Sequence, residues 1–298
     1  MKYGDRGSEV KAVQLALLER DPRSLPKYGA DAHLGNETWA ALERFSKGAG
    51  IAWRPSVPAE TLEALSVAPE PPGPTPPAPG PVPVLDLRHE QSDPAPKSKV
   101  VNGKTVQRPP ETVTAICIHQ TACTFGVSQQ QINAAGGDRA LALHRRALGV
   151  ACHAMAFMDG TVVIANKLPA YIQHAGPLNS ISVGLECEGR LPGLTNDPDG
   201  TTWGGEPTPL TETMINAARE AVRQLVELAA ESGIKITHIY THRQSSESRR
   251  SDCGEGLWRA VVLDYAVPVL GLRTSPGLTF GSGQPVPVEW DPNGVGHY

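Results

Sequence analysis

The sequence predicts two folded parts of different class, a small all-α unit at the N-terminus and a larger mixed α/β body behind it. Three observations carry this. A proline run at 69–83, with nine prolines in fifteen residues, suits neither helix nor sheet and divides the chain. Before it, apolar residues recur at helical spacing. After it, short β-branched runs alternate with helical patterns.

Length and composition bound the rest. With 298 residues the chain suffices for one large or two modest domains. Counting Gly and leaving out Tyr, roughly 48% is apolar, the average for a globular protein, which excludes a largely disordered chain. The longest apolar stretch, 260–272, is broken by Asp264 and Pro268 and is too short for a bilayer. The first residues lead into no apolar run, so no signal peptide is expected. A net charge of −4 disfavours nucleic acid or a membrane as partner. Five cysteines without an export signal are expected as reduced thiols.

In the head, residues 1–66, Val10, Val13, Leu17 and Leu18 form the stripe of a first helix, with Ser8 placed to cap it and Asp21-Pro22 to end it. A turn-rich stretch through Gly29, Asp31 and Gly35 precedes a second helix at 38–45. A third, 58–65, opens with Pro at a tolerated position. Nine Lys/Arg against nine Asp/Glu argue against a DNA-binding helix-turn-helix. Residues 67–84 are a polyproline II spacer, roughly 45 Å for the proline run at about 3.1 Å per residue. No basic residue flanks its PxxP repeats, which disfavours an SH3-type ligand.

The head also carries a pattern: Gly4-Asp5-Arg6-Gly7-Ser8-Glu9-Val10, then Val13-Gln14, then Asp31-Ala32-His33-Leu34-Gly35-Asn36-Glu37-Thr38, Leu42 and Phe45. In these residues it resembles the small peptidoglycan-binding domain at the ends of many cell-wall hydrolases. A ligand-free three-helix adaptor is the plainer alternative.

In the body, residues 85–272, a β-branched run at 113–118 ends at His119. A short helix follows at 138–148, then two strands, 154–158 and 161–165, flank the hairpin signal Asp159-Gly160. Another strand covers 181–187, and apolar positions 215, 218, 222, 225 and 229 mark a helix over 211–231 closed by Ser232-Gly233. A strand at 234–240 stops just before His242, and a last helix runs from after Gly254 to about 267. Residues 191–209, with Asn196-Asp197-Pro198-Asp199-Gly200, read as a long loop and turn beside the strand at 181–187, placed to wall a groove, not a calcium loop. Residues 273–298 lack periodicity and read as a tail packed on the body, without a function.

Two histidines just after strands, with Asp252-Cys253 further on, make a His/His/Asp or His/His/Cys set. Three protein ligands with a fourth position for water is the catalytic zinc pattern, and no CxxC pair offers a structural one. Four blocks then stand in order: Ile116-Cys117-Ile118-His119-Gln120-Thr121-Ala122; Ala151-Cys152-His153 with Asp159-Gly160-Thr161-Val162; His174-Ala175-Gly176 with Asn179-Ser180-Ile181-Ser182-Val183-Gly184-Leu185-Glu186; and His242 with Arg250-Ser251-Asp252-Cys253-Gly254. In these the body resembles the type-2 N-acetylmuramoyl-L-alanine amidases, whose fold animal peptidoglycan recognition proteins share.

That resemblance implies a mixed central sheet flanked by helices. It implies an enzyme that hydrolyses the amide between N-acetylmuramic acid and the L-alanine of the stem peptide. One Zn2+ per chain is expected on His119, His242 and Asp252, with Cys253 the alternative. Register favours Asp252, because it leaves a cation two residues before and Gly two after, as in the family's Lys-x-Asp-Pro-Gly. Glu186 takes the place of the catalytic glutamate, general base and then general acid. Arg250 stands at the family's lysine, able to hold negative charge but not to give up a proton. His153, His174 and Asn179 are expected to line the cleft and bind substrate. Cys117, Cys152 and Cys187 read as packed residues. The partner implied is bacterial peptidoglycan, with no nucleic acid, no membrane insertion and a monomeric chain. The order of parts and the expected lack of a signal peptide point to an endolysin made in the host cytoplasm and reaching the wall after release. Against the alternatives, the full ligand set with Glu186 disfavours a non-catalytic recognition protein, and the head disfavours a muropeptide-recycling amidase.

Overall fold

In the N-terminal unit the stripe on the first helix gathers everything else. The computed structural model describes residues 1–21, 23–53, 56–65, 81–193, 206–291 and 295–296. The chain divides into two compact units, Met1–Ala78 and Pro79–Tyr298. In the first, helices α1 (Ser8–Arg20), α2 (Asn36–Gly48) and α3 (Ala59–Ala64) close on Val10, Val13, Leu17, Leu34, Leu42 and Leu65. Ser8 is the first helical residue and not the cap. Gly7 holds that position at φ 122°, a left-handed conformation that glycine tolerates, and no side-chain cap bond forms.

Gln14, fully buried, is the polar hub of this unit. Its amide nitrogen lies 2.6 Å from Asp31 Oδ1, 2.9 Å from Thr38 Oγ1 and 3.0 Å from the His33 carbonyl, and its oxygen accepts Ala32 N–H at 2.7 Å. The motif residues Gln14, Asp31 and Thr38 therefore tie α1 to the turn and to α2. Most of the predicted spacer lies outside the described residues.

The second unit is built on one six-stranded sheet. Its strands are β1 (Val84–Asp86), β4 (Ala115–Gln120), β5 (Ala154–Ala156), β6 (Val162–Ile164), β7 (Ser182–Cys187) and β8 (His238–Thr241), in the order β1-β6-β5-β7-β4-β8. Only β5–β6 pair antiparallel; the other pairs are parallel. A separate ribbon joins β2 (Val100–Val101) to β3 (Lys104–Thr105). Helices α4 (Gln129–Ala134) and α5 (Arg139–His144) follow β4, and α6 (Glu212–Glu231) precedes β8. Short α7 (Glu255–Leu257) continues as a π-helix, Trp258–Ala266.

Alternation along the strands separates two faces. Ile116, Ile118, Val183, Leu185 and Ile239 pack against Ala218, Val222 and Leu225 of α6 and against Trp258, Val261 and Val262. The opposite face carries Ala115, Cys117 and Tyr240, covered by Ala175, Leu178 and Phe280.

Several boundaries move. The body begins before residue 85: Val84 pairs with Val162, and Val82 packs on the core. β4 starts at Ala115, so His119 stands within the strand and not after it. Helix α5 ends at His144 and runs on as a 3-10 turn to Gly149. α4 had no apolar periodicity to announce it, but Ser128 and Gln131 form a capping box at its start. The C-terminal segment belongs to the fold. Arg273 bonds across to Thr237 and Ile239, while Trp290 is fully buried in the main core. The loop motif at 196–200 lies outside the described residues. All five cysteines are free thiols, with only Cys123 partly exposed. Among the described residues no helix is long and apolar enough to cross a membrane.

Replacing Gln14 by Leu strips Asp31, Ala32 and Thr38 of their common partner. The N-terminal unit should lose on the order of 2 kcal/mol, read as a lower melting transition for that unit while the transition of the body stays in place.

Candidate active site

Three elements bring the site together. β4 supplies His119, the turn after β8 supplies His242, and the segment before α7 supplies Asp252. His119 Nδ1 is 3.0 Å from His242 Nδ1; Asp252 Oδ2 is 3.2 Å from His242 Nδ1 and 3.7 Å from His119 Nδ1. Asp252 is held from behind, its Oδ1 accepting the Gln120 N–H at 2.8 Å. The Gln120 side chain in turn binds the carbonyls of Leu191 and Ser251.

His119 and Asp252 have the protonation a cation requires. Burial is the main cause that pulls His119 down to about 4, so the ring is neutral at ordinary pH. Burial would raise Asp252, but the imidazoles of His119 and His242 beside it outweigh burial and hold the carboxyl at about 2. Tetrahedral zinc with bonds of about 2.0–2.1 Å needs donors about 3.3–3.4 Å apart. The three observed separations bracket that value, so the donor set fits the ion. Cys253, adjacent to Asp252, belongs to the core on the α6 side, and burial raises its thiol well above the ordinary value.

Glu186 sits on β7 directly opposite His119 in the parallel register. Its Oε2 is buried and has no hydrogen-bond partner among the described residues. Burial, then the charge of Asp252, raise this carboxyl well above its usual value, and Arg249 partly offsets them. A buried carboxyl oxygen left unspent by the protein is suited to a proton on something outside it.

The charge of Arg249 bears on both Glu186 and His119. Arg250 enters through its backbone carbonyl, which accepts Arg243 Nη1 at 2.5 Å. Asp252 N–H bonds to the Arg249 carbonyl at 3.0 Å, closing a turn over 249–252.

The expected substrate contacts lie in the interior. His153 is fully buried, its Nδ1 accepting Gly184 N–H at 2.9 Å and its Nε2 lying 2.9 Å from the Ala170 carbonyl. Burial and the nearby Arg108 hold it at about 3. Asn179 spends its Oδ1 on the N–H groups of His174 and Ala175. His174 is buried against His119, with Nδ1 3.0 Å from His119 Nε2. All three serve the interior because β7 and the turn before it fold over them. Cys117, His119 and His174 also present donor atoms close together, but Cys117 is fully buried and its thiol is raised far above its usual value. Two surface cavities of about 500 and 810 Å³ contain none of these residues.

Residues 109–255 match the family described as N-acetylmuramoyl-L-alanine amidase. The matched stretch lies within the body and holds His119, Glu186, His242 and Asp252. A curated relative, the N-acetylmuramoyl-L-alanine amidase CwlL of Bacillus licheniformis, is 50% identical over 52 residues, 17% of this chain and 14% of its own length. The chain thus matches only a small part of that relative. Among solved structures, the endolysin amidase LysCS of Clostridium intestinale is 15% identical, covering 59% of this chain and 92% of its own at a TM-score of 0.33. Drosophila PGRP-LB is likewise 15% identical, covering 63% and 95% at 0.36. These likenesses carry no weight for the chemistry, which rests on the side chains.

Part of what holds the site lies beyond the matched residues. Gln244, fully buried, accepts Thr241 N–H on its oxygen and donates to the Ser275 and Leu278 carbonyls, both at 2.8 Å. Its own carbonyl accepts Phe280 N–H at 2.7 Å, and Gln284 N–H bonds to the Arg243 carbonyl at 2.9 Å. The C-terminal segment thereby fastens the turn that begins with His242. Sequence reading assigned that segment no function, since partners so distant in the chain leave no periodic trace. Gln244→Ala should destabilise the second unit by about 1–3 kcal/mol and weaken zinc binding, checked by thermal unfolding and chelator competition.

Proposed function

We propose that the chain is a zinc-dependent N-acetylmuramoyl-L-alanine amidase that hydrolyses peptidoglycan. The observation that supports it best is the meeting of two imidazole nitrogens and an ionised carboxylate beside Glu186, a buried carboxyl with an unspent oxygen. His119, His242 and Asp252 would hold the zinc, with Cys253 turned to the core. When bound, zinc supplies Lewis acidity, polarising an amide carbonyl and acidifying water. Glu186 would take a proton from the attacking water on its carboxylate and return it to the departing L-alanine nitrogen. Its raised proton affinity suits holding that proton between the two events. Arg249 would oppose negative charge developing at the carbonyl oxygen, a role Arg250 was expected to fill.

Digestion of purified sacculi should release stem peptides with new L-alanine amino termini while leaving glycan strands intact. New reducing ends without those amines would exclude this reading. Chelation should abolish turnover and zinc restore it. Asp252→Ala should lose zinc by metal analysis, whereas Cys253→Ser should retain it; the reverse pattern moves the ligand to Cys253. Glu186→Gln should keep the metal and lose about 10²–10⁴-fold in turnover, and full activity would remove Glu186 from the chemistry.

The head supports a wall-bound mode of action through its resemblance to a peptidoglycan-binding domain, and the proline-rich segment suits a tether. We read the whole chain as an endolysin that binds peptidoglycan through its head and reaches the wall after release from the cytoplasm. A chain lacking residues 1–78 should cleave small muropeptides normally but attack insoluble sacculi more slowly, because tethering raises effective concentration. Equal rates on sacculi would reduce the head to an adaptor.

A further inference from the structure

We infer that His174 is a positioning residue that decides which nitrogen of His119 carries the proton, leaving the His119 Nδ1 lone pair bare where His242 and Asp252 converge. The inference rests on the ligand set proposed above and goes beyond it.

The argument begins at the far end of a hydrogen-bond chain. His174 Nε2 lies 3.3 Å from the Ser182 carbonyl, which can only accept. The Ser182 hydroxyl, 3.5 Å from the same nitrogen, already donates to the Leu178 carbonyl at 2.7 Å, so toward His174 it can only accept as well. Nε2 therefore carries a proton. The Ser182 carbonyl is itself held by Arg108 Nη1 at 2.5 Å, and the same nitrogen donates to the Asn179 carbonyl at 2.6 Å. Enclosed by two other imidazoles, with the Arg108 guanidinium on the carbonyl that its Nε2 faces, His174 has room for one ring proton; with that proton on Nε2, Nδ1 is bare.

His119 Nε2 stands 3.0 Å from that bare Nδ1 and must donate to it. A neutral His119 with a proton on Nε2 has none on Nδ1, the atom 3.0 Å from His242 Nδ1 and 3.7 Å from Asp252 Oδ2. The sheet makes room for this ring at one place. A methyl group on Gly184 would come within 2.9 Å of His174 Cγ. Partners of this kind orient a ligand and set its basicity, and their loss typically weakens metal binding about 10–100-fold.

The alternative use of the same atoms is a metal held by Cys117, His119 and His174, which would need both facing nitrogens bare. The two arrangements differ in one proton. Long-range ¹H–¹⁵N spectra of the zinc-loaded wild-type chain should show His119 protonated on Nε2 and His174 on Nε2. A proton on His174 Nδ1, or none on His119 Nε2, would overturn the inference.

Zinc competition with a chromophoric chelator gives the second reading. His174→Leu should bind zinc about 10–100-fold more weakly. His174→Asn, matched in shape but with an acceptor oxygen where Nδ1 stood, should recover most of the loss. Cys117→Ser should bind as the wild type does. Equal losses in the Leu and Asn variants, no loss in the Leu variant, or a loss in the Cys117 variant would each overturn it. Asp252→Ala, which keeps His174, separates the two layers. Zinc retained there refutes the ligand set. Zinc lost there but unchanged in His174→Leu refutes only the role of His174.

Discussion

Gathering a buried imidazole, a half-buried one and a buried carboxylate within 3.0–3.7 Å of one another is stable only if each is fixed in direction and protonation, and much of the body is arranged to do that. Misaligned, the same groups would be desolvated without compensation. Gln120 illustrates the arrangement. Its N–H holds the Asp252 carboxylate, while its side chain ties the carbonyls of Leu191 and Ser251 on either side. Arg243 does the same from the other direction, with its N–H on the Asp252 carbonyl and its guanidinium on the carbonyls of Arg250 and Pro285.

The sheet divides its labour by the pleat. One face is an apolar platform for α6 and the π-helix, where Ile118 and Leu185 pack. The residues alternate with these, so His119 and Glu186 come side by side on the other face through the parallel pairing of β4 and β7. That face is too polar to be closed by a helix of the α6 kind. Loops and the C-terminal segment close it instead, through Leu178, Phe280 and the contacts of Gln244. Residues outside the matched family region thus support the residues within it.

Where sequence and structure differ, the differences have a common cause. Motif register marks Arg250, while the charge of Arg249, one residue earlier in the turn at 249–252, also bears on Glu186. His153 and Asn179 were placed in a cleft because they stand near the metal ligands in the motif blocks. Burial and internal hydrogen bonds withdraw them from it. Motif position tells which residues gather near a centre; it does not tell which way each side chain is turned.

The sequence by itself determined the element types, because apolar period 2 or 3.6 is a local property, as in α6 and β7. It also held the candidate ligands His119, His242 and Asp252, which the motif blocks and their register selected before any coordinates. Tertiary structure decided what depends on partners far apart in the chain. These are the exclusion of Cys253 to the core, the reach of the Arg249 charge to Glu186, the polar hub at Gln14 and the fastening of the His242 turn by residues 275–285. The physical reason is one of range. Periodicity and turn chemistry act between neighbours, whereas burial and hydrogen-bond direction at the site are set by strands and segments that meet only once the chain has folded.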